Sequence, residues 1–136
     1  MTSLAQVFGR SIIDCNWFPA GNHMWTQREI YIPKRYWSEP ERRFLTWSEV
    51  MTPPMALTFD ARMLTRVGIS VVDNTADEIR DVCVEMLDRL DGKLYTAEDD
   101  AGQDRWHDLK RAYWREPWLA RIGRDFLERH RDLMPG

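Results

Sequence analysis

The residues with the greatest chemical reach stand at the ends of two short apolar runs. Ser11-Ile12-Ile13-Asp14-Cys15-Asn16 reads as a strand, and Asn16 falls at its carboxyl end. Open α/β sheets bind ligands beyond the carboxyl ends of their strands. Two tasks are open to Asn16: a polar contact to a ligand, or satisfaction of the backbone in the following turn. Asp73-Asn74-Thr75 holds the same place after Ile69-Ser70-Val71-Val72, and there Thr75 has a capping task. Between the runs, Ile30-Tyr31-Ile32-Pro33-Lys34-Arg35-Tyr36-Trp37 sets two bases among aromatics. Lys34 or Arg35 offers the cation a diphosphate needs, and Trp17 or Trp25 offers a flat face for a base. The competing reading of Lys34 is a surface lysine beside a packed aromatic loop.

Other chemistries lack their residues. There is no G-x-G-x-x-G, Walker loop, H-E-x-x-H, C-x-x-C or G-x-S-x-G. His23, His107 and His130 are scattered, and neither cysteine has a histidine near it in sequence, so no metal site is expected. Glu98-Asp99-Asp100 with Asp104 lacks the glycine and alternation of a calcium loop and reads as a helix N-terminus. No cofactor is expected.

The chain has 136 residues, a length that suits one domain with a real core. The net charge of -3 and pI near 5.6 argue against a dedicated nucleic-acid binder. The balance shifts along the chain: residues 77–104 hold ten acids and three bases, and residues 105–131 hold eight bases and four acids. These are either helical faces that pair or are solvated, or a basic helix that binds an anion. No apolar run approaches the ~20 residues of a membrane span. Met1-Thr2-Ser3-Leu4 does not read as a secretory signal. Cys15 and Cys83 read as reduced core residues, and the expected location is the cytoplasm. Most of the seven tryptophans are expected to anchor packing.

The elements that must position these residues follow from local signals. Residues 3–8 read as a helix ended by Gly9. Residues 17–45, with Pro19, Pro33 and Pro40, read as a long irregular segment. Thr46 with Glu49, and Thr75 with Glu78, have capping-box spacing. The first opens a short helix stopped by Pro53-Pro54, and residues 60–66 suggest another before Gly68. The second opens the helix 76–91, whose Ile79, Val82, Cys83, Met86, Leu87 and Leu90 predict a buried stripe, with Gly92 closing it. Helices are expected from about Glu98 to Arg115 and from Trp118 to about Arg131, the latter with Leu119, Ile122, Phe126 and His130 on one face. The strands 11–16 and 69–73 are expected to be parallel neighbours or near neighbours. Two strands do not make a stable parallel sheet. Either residues 17–45 hide strands, or upstream strands are missing.

The ordered set Val7-Phe8-Gly9-Arg10-Ser11-Ile12-Ile13-Asp14-Cys15-Asn16-Trp17, Ile30-Tyr31-Ile32-Pro33-Lys34 with Trp37-Ser38, Phe44-Leu45-Thr46, Gly68-Ile69 and Val72-Asp73-Asn74-Thr75 resembles the C-terminal part of a family of bacterial GT-B-type glycosyltransferases associated with surface-polysaccharide genes. Arg121-Ile122-Gly123, Phe126-Leu127 and Asp132-Leu133-Met134-Pro135 are similar to the end of such chains. Arg10 stands where such sequences often carry proline.

The resemblance implies an α/β fold, a partial Rossmann-like half with few parallel strands and a helical C-terminal tail. It divides the chain into a donor-binding region, 1–96, and a tail of the same domain, 97–136. It implies a nucleotide-sugar donor site with Asn16, His23 and Lys34 as substrate-binding positions. It transfers no catalytic base, since that role falls to an acceptor-binding half this chain lacks. The expected function is therefore a glycosyltransferase fragment, incomplete alone, with an upstream glycosyltransferase chain or a homo-oligomer as partner. The alternative is a non-enzymatic remnant or protein-interaction module.

Overall fold

The computed structural model describes residues 2–22, 26–111 and 120–135, and the structural statements here concern those residues. The chain opens with α1 (Thr2–Val7). Gly9 ends it at φ +62°, a left-handed conformation that costs glycine least. The apolar run that follows is β1 (Ile12–Trp17).

Residues 17–45 are not irregular throughout. They hold β2 (Glu29–Pro33), β3 (Arg35–Ser38) and β4 (Arg43–Phe44). The prolines that argued against strands sit at their ends: Pro33 closes β2, and Pro40 lies in the turn after β3. Then come α2 (Trp47–Val50), α3 (Ala61–Arg66), β5 (Ile69–Val72), α4 (Ala76–Leu90), α5 (Ala97–Arg111), β6 (Arg121–Ile122) and α6 (Arg124–Arg129). Both expected capping boxes form, at Thr46–Glu49 and Thr75–Glu78.

The fold is mixed α/β with two sheets. One is parallel, in the order β1-β2-β6; the other is antiparallel, in the order β4-β3-β5. Lys34 alone separates β2 from β3, so the chain passes directly from one sheet into the other. This corrects the expected pairing of the two apolar runs. β5 is not a parallel neighbour of β1; it runs antiparallel to β3, with Tyr36 opposite Val71 and Ser38 opposite Ile69. The hidden strands supplied nearer edges for both runs.

β2 is the centre of the parallel sheet and is buried along its whole length. Its register with β1 sets Ile13 beside Ile30 on one face, and Asp14 beside Tyr31 on the other. α4 covers the first face with Val82 and Met86. Gly123 lets this layer close: a Cβ there would meet Ile32 Cγ2 at 2.8 Å. The second face receives α5, whose Trp106 packs edge-on against Trp47 with ring centroids 5.1 Å apart.

The α4 stripe is only half buried, which is a second correction. Val82 and Met86 enter the core, but Leu87 and Leu90 are more than 60% exposed, and Cys83 is exposed too. A 100° step per residue makes the stripe wider than the strip of sheet beneath it.

The tail departs from the expected helices in one respect. α5 forms as expected, but 121–122 joins the parallel sheet as β6 before α6 begins. Gln103 secures that strand: its Nε2 donates to the Ile122 carbonyl at 2.9 Å, and its Oε1 accepts from the Ile122 N–H at 3.0 Å. Residues 112–119, where the two helices were expected to meet, lie outside the described residues. No helix among the described residues is long and apolar enough to cross a membrane.

Candidate functional site

The carboxyl ends of β1, β2 and β5 converge where the two sheets meet. Asn16 closes this junction from a left-handed backbone conformation, φ +54°, which asparagine tolerates better than most residues. Its N–H donates to Asn74 Oδ1 at 2.5 Å, and its own Oδ1 accepts from the Asn74 N–H at 2.6 Å. Asn74 Nδ2 donates to the Pro33 carbonyl at 2.9 Å. Two asparagines thus tie three strand ends with side-chain amides that stand in for ladder bonds.

Lys34 lies one residue past this tie. Its N–H donates to the Trp17 carbonyl at 3.0 Å, and its ammonium meets Asp73 Oδ1 at 2.8 Å. The lysine side chain is one quarter exposed and the aspartate far more so. Asn16 and Lys34, read from the sequence as donor contacts, are therefore brought together, each with a partner inside the protein. His23 lies outside the described residues.

The next shell was anticipated only in its capping box. Glu78, buried at the start of α4, accepts from the Thr75 N–H with Oε2 at 2.8 Å and holds His130 Nε2 with Oε1 at 2.5 Å. Burial works to raise the Glu78 carboxyl, but the hydrogen bonds from His130 and Thr75 outweigh it and hold the group below its usual range. Burial pushes the His130 imidazole down against the pull of Glu78, so at neutral pH Nε2–H donates to a carboxylate. Arg35 stacks over Phe44 at 4.2 Å and acts electrostatically on both members of the pair. The Thr75–Glu78 capping box and the face marked by Phe126 and His130 were each legible in the sequence, but nothing in it joined Glu78 to His130.

The opposite face of β2 carries a second polar cluster. Tyr31 Oη accepts from Trp106 Nε1 at 2.6 Å and from Lys110 Nζ at 2.8 Å. Burial pushes the Lys110 ammonium well below the usual lysine range. On the same face Asp14 is pushed up to about 6, by burial first and by Glu29 second, and its Oδ2 has no hydrogen-bond partner among the described residues.

A cavity of about 410 Å³ lies elsewhere. It runs between α5 and α6, with Arg105, Arg124 and Arg131 facing Glu98, Asp99 and Glu128. Among the described residues no strand end lines it. Among the described residues no group of three or more His, Cys, Asp or Glu side chains is placed to hold a metal ion. The strand-end cluster can present one ammonium and fixed amides to an anion.

Comparison of the chain with family models, with curated proteins and with solved structures gave no match.

Proposed function

We propose that this chain is the donor-side C-terminal part of a GT-B-type glycosyltransferase, with a Rossmann-like sheet, and that sugar transfer also requires an acceptor-side domain. The observation that supports this reading is the convergence of the parallel strand ends at Asn16 and Lys34, the place where α/β sheets take nucleotide ligands. Lys34 exchanges Asp73 for a donor phosphate, and Asn16 and Asn74 hold the strand ends in position for that contact. The isolated chain binds weakly. Each charge-assisted hydrogen bond to phosphate that these residues do not supply weakens affinity by roughly 1.5–3 kcal/mol, a factor on the order of 10–10².

The test is a titration of the chain with UDP and GDP, followed by backbone amide shifts. Shifts confined to residues 14–17, 33–35 and 73–75 support the donor site. Silence at millimolar nucleotide, or shifts confined to the cavity between α5 and α6, removes it. The second reading, a non-enzymatic interaction module, is favoured by one observation: Asn16 and Lys34 are already engaged by Asn74 and Asp73. A Lys34→Ala variant that binds nucleotide like the parent supports that second reading.

A further inference from the structure

The amino ends of the parallel strands form a pole opposite the Asn16–Asn74 tie. β1 begins there, and the Ile12 N–H donates to the Arg28 carbonyl at 3.2 Å. Two side-chain bonds draw the helix ends to the same place. The Arg28 guanidinium donates to the Gly9 carbonyl just past α1, and the Arg89 guanidinium, in the last turn of α4, donates to the Gln27 carbonyl. The ends of α1 and α4 therefore meet around the loop that leads into β2.

Apolar side chains stand out of this pole. Leu4, Val7 and Phe8 are spaced three and four apart and share one face of α1 and its last turn, while Gln6 on another face donates to Glu29. Val7 is 79% exposed and Phe8 70%. At the end of α4, Leu87 and Leu90 are exposed, and Leu94, just beyond, is 93% exposed. Exposed apolar groups gathered in this way mark a contact surface.

The charge around them is mostly of one sign. Among the described residues Arg10, Arg28 and Arg89 have no acidic partner, and the backbone carbonyls that engage the last two do not neutralise them. Lys93 is the fourth base here. Of the acids, Asp88 is held by Lys93 and Arg124, and Asp91 caps the end of α4. A chain of net charge -3 thus gathers an excess of positive charge at this end. That combination selects the occupant. A second copy docked through the same pole would set arginines against arginines. An anionic bilayer meets both features, since its phosphates attract the guanidiniums and its acyl boundary takes up the apolar side chains.

We propose that this pole docks on the surface of an anionic lipid bilayer, with Phe8, Val7, Leu90 and Leu94 entering the headgroup boundary and Arg10 and Arg28 facing the phosphates. The attachment is peripheral, and no described helix is long and apolar enough to cross the bilayer. Asn16 and Lys34, at the other ends of the strands, stay turned away from it. The outcome of the nucleotide titration therefore does not bear on this docking.

Sedimentation of the purified chain with vesicles of phosphatidylcholine alone, and of phosphatidylcholine mixed with phosphatidylglycerol, tests this. Far tighter binding to the mixed vesicles is expected, weakening as salt is raised. Hydrogen exchange in the bound chain should slow in residues 4–10 and 87–94 and stay unchanged in residues 14–17 and 33–35. Phe8→Ser with Leu94→Ser, both at exposed sites, should keep the parent melting temperature and weaken vesicle binding by on the order of 10–10²-fold. Arg10→Gln should weaken it about fivefold. Equal binding to both kinds of vesicle, or none to either, overturns the proposal. So does binding to the mixed vesicles that survives Phe8→Ser with Leu94→Ser, the behaviour of a surface that answers to negative charge alone, such as an acidic protein carries.

Discussion

Asn16 and Asn74, 58 residues apart, hold each other reciprocally: each side-chain Oδ1 accepts the other's backbone N–H. The pair joins the end of a parallel sheet to the end of an antiparallel one. Thr75, the N-cap of α4, follows Asn74 directly.

Breaking this pair should show strong coupling. Asn74→Ala removes the acceptor for Asn16 and the donor to Pro33, a loss of about 1–3 kcal/mol. Asn16→Ala removes the acceptor for Asn74 and adds strain at φ +54°. In a double-mutant cycle by urea denaturation, the two losses should fall short of additivity by roughly 0.5–3 kcal/mol. Strict additivity would show that the two asparagines do not act as a unit.

Adjacent residues on α4 should respond oppositely to the same change. Met86→Asp puts a charge into the core and should cost several kcal/mol, enough to unfold a domain stable by about 5–15 kcal/mol. Leu87→Asp lies at an exposed site and should shift stability by about 0.5 kcal/mol or less. Melting curves of the two variants decide this, and equal destabilisation would place Leu87 in the core.

The Glu78–His130 pair should make the fold acid-sensitive in two stages. His130 titrates below its ordinary 6.5 when folded, so the unfolded chain binds its proton first, and stability falls as pH drops below about 6.5. Glu78 titrates below its ordinary 4.5, so its contribution is present above that pH and is lost as pH falls through the folded value. His130→Gln should abolish the first stage, and Glu78→Gln the second. Melting temperatures measured from pH 7.5 to 3.5 in these variants check the assignment.

Asp14 should act in the opposite direction. Its folded value near 6 exceeds its ordinary 3.8, so between those limits the folded chain binds the proton more tightly. Its carboxylate therefore opposes folding at neutral pH, and this opposition fades as pH falls from 6 towards 3.8. Asp14→Asn should raise the melting temperature at pH 7 and have little effect near pH 3.5. A variant less stable at pH 7 would show that the carboxylate is held by a favourable partner.

Tyr31→Phe should expose how much the buried polar cluster matters. It leaves the Trp106 N–H without its acceptor and removes one partner of Lys110, for a loss of roughly 1–3 kcal/mol or more. Urea denaturation of the variant tests this, and an unchanged midpoint would mean the hydroxyl is dispensable.

What could be read from the sequence was what closes within a few residues. The capping boxes at Thr46–Glu49 and Thr75–Glu78 are rings three residues wide, and Gly9 and Gly92 end their helices by their own backbone freedom. The apolar runs announced β1 and β5 for the same reason. Nothing local said that β5 would leave β1 and pair with β3, because a short strand carries no mark of its partner. β2 and β3 were masked by prolines that prove to sit at their ends. Periodicity predicted the α4 stripe but could not say that the sheet would stop at β1 and leave Leu87 and Leu90 uncovered. Asn16 was visible as a polar strand end, whereas its partner in Asn74, like Glu78 for His130 and Lys110 for Tyr31, was not. Those contacts span 52 to 79 residues and exist only after the sheets have brought the chain back on itself. Local bonds and backbone freedom suffice to set the helix ends and the two apolar runs, so these are legible residue by residue; strand pairing, burial and the polar clusters depend on contacts that only tertiary packing makes.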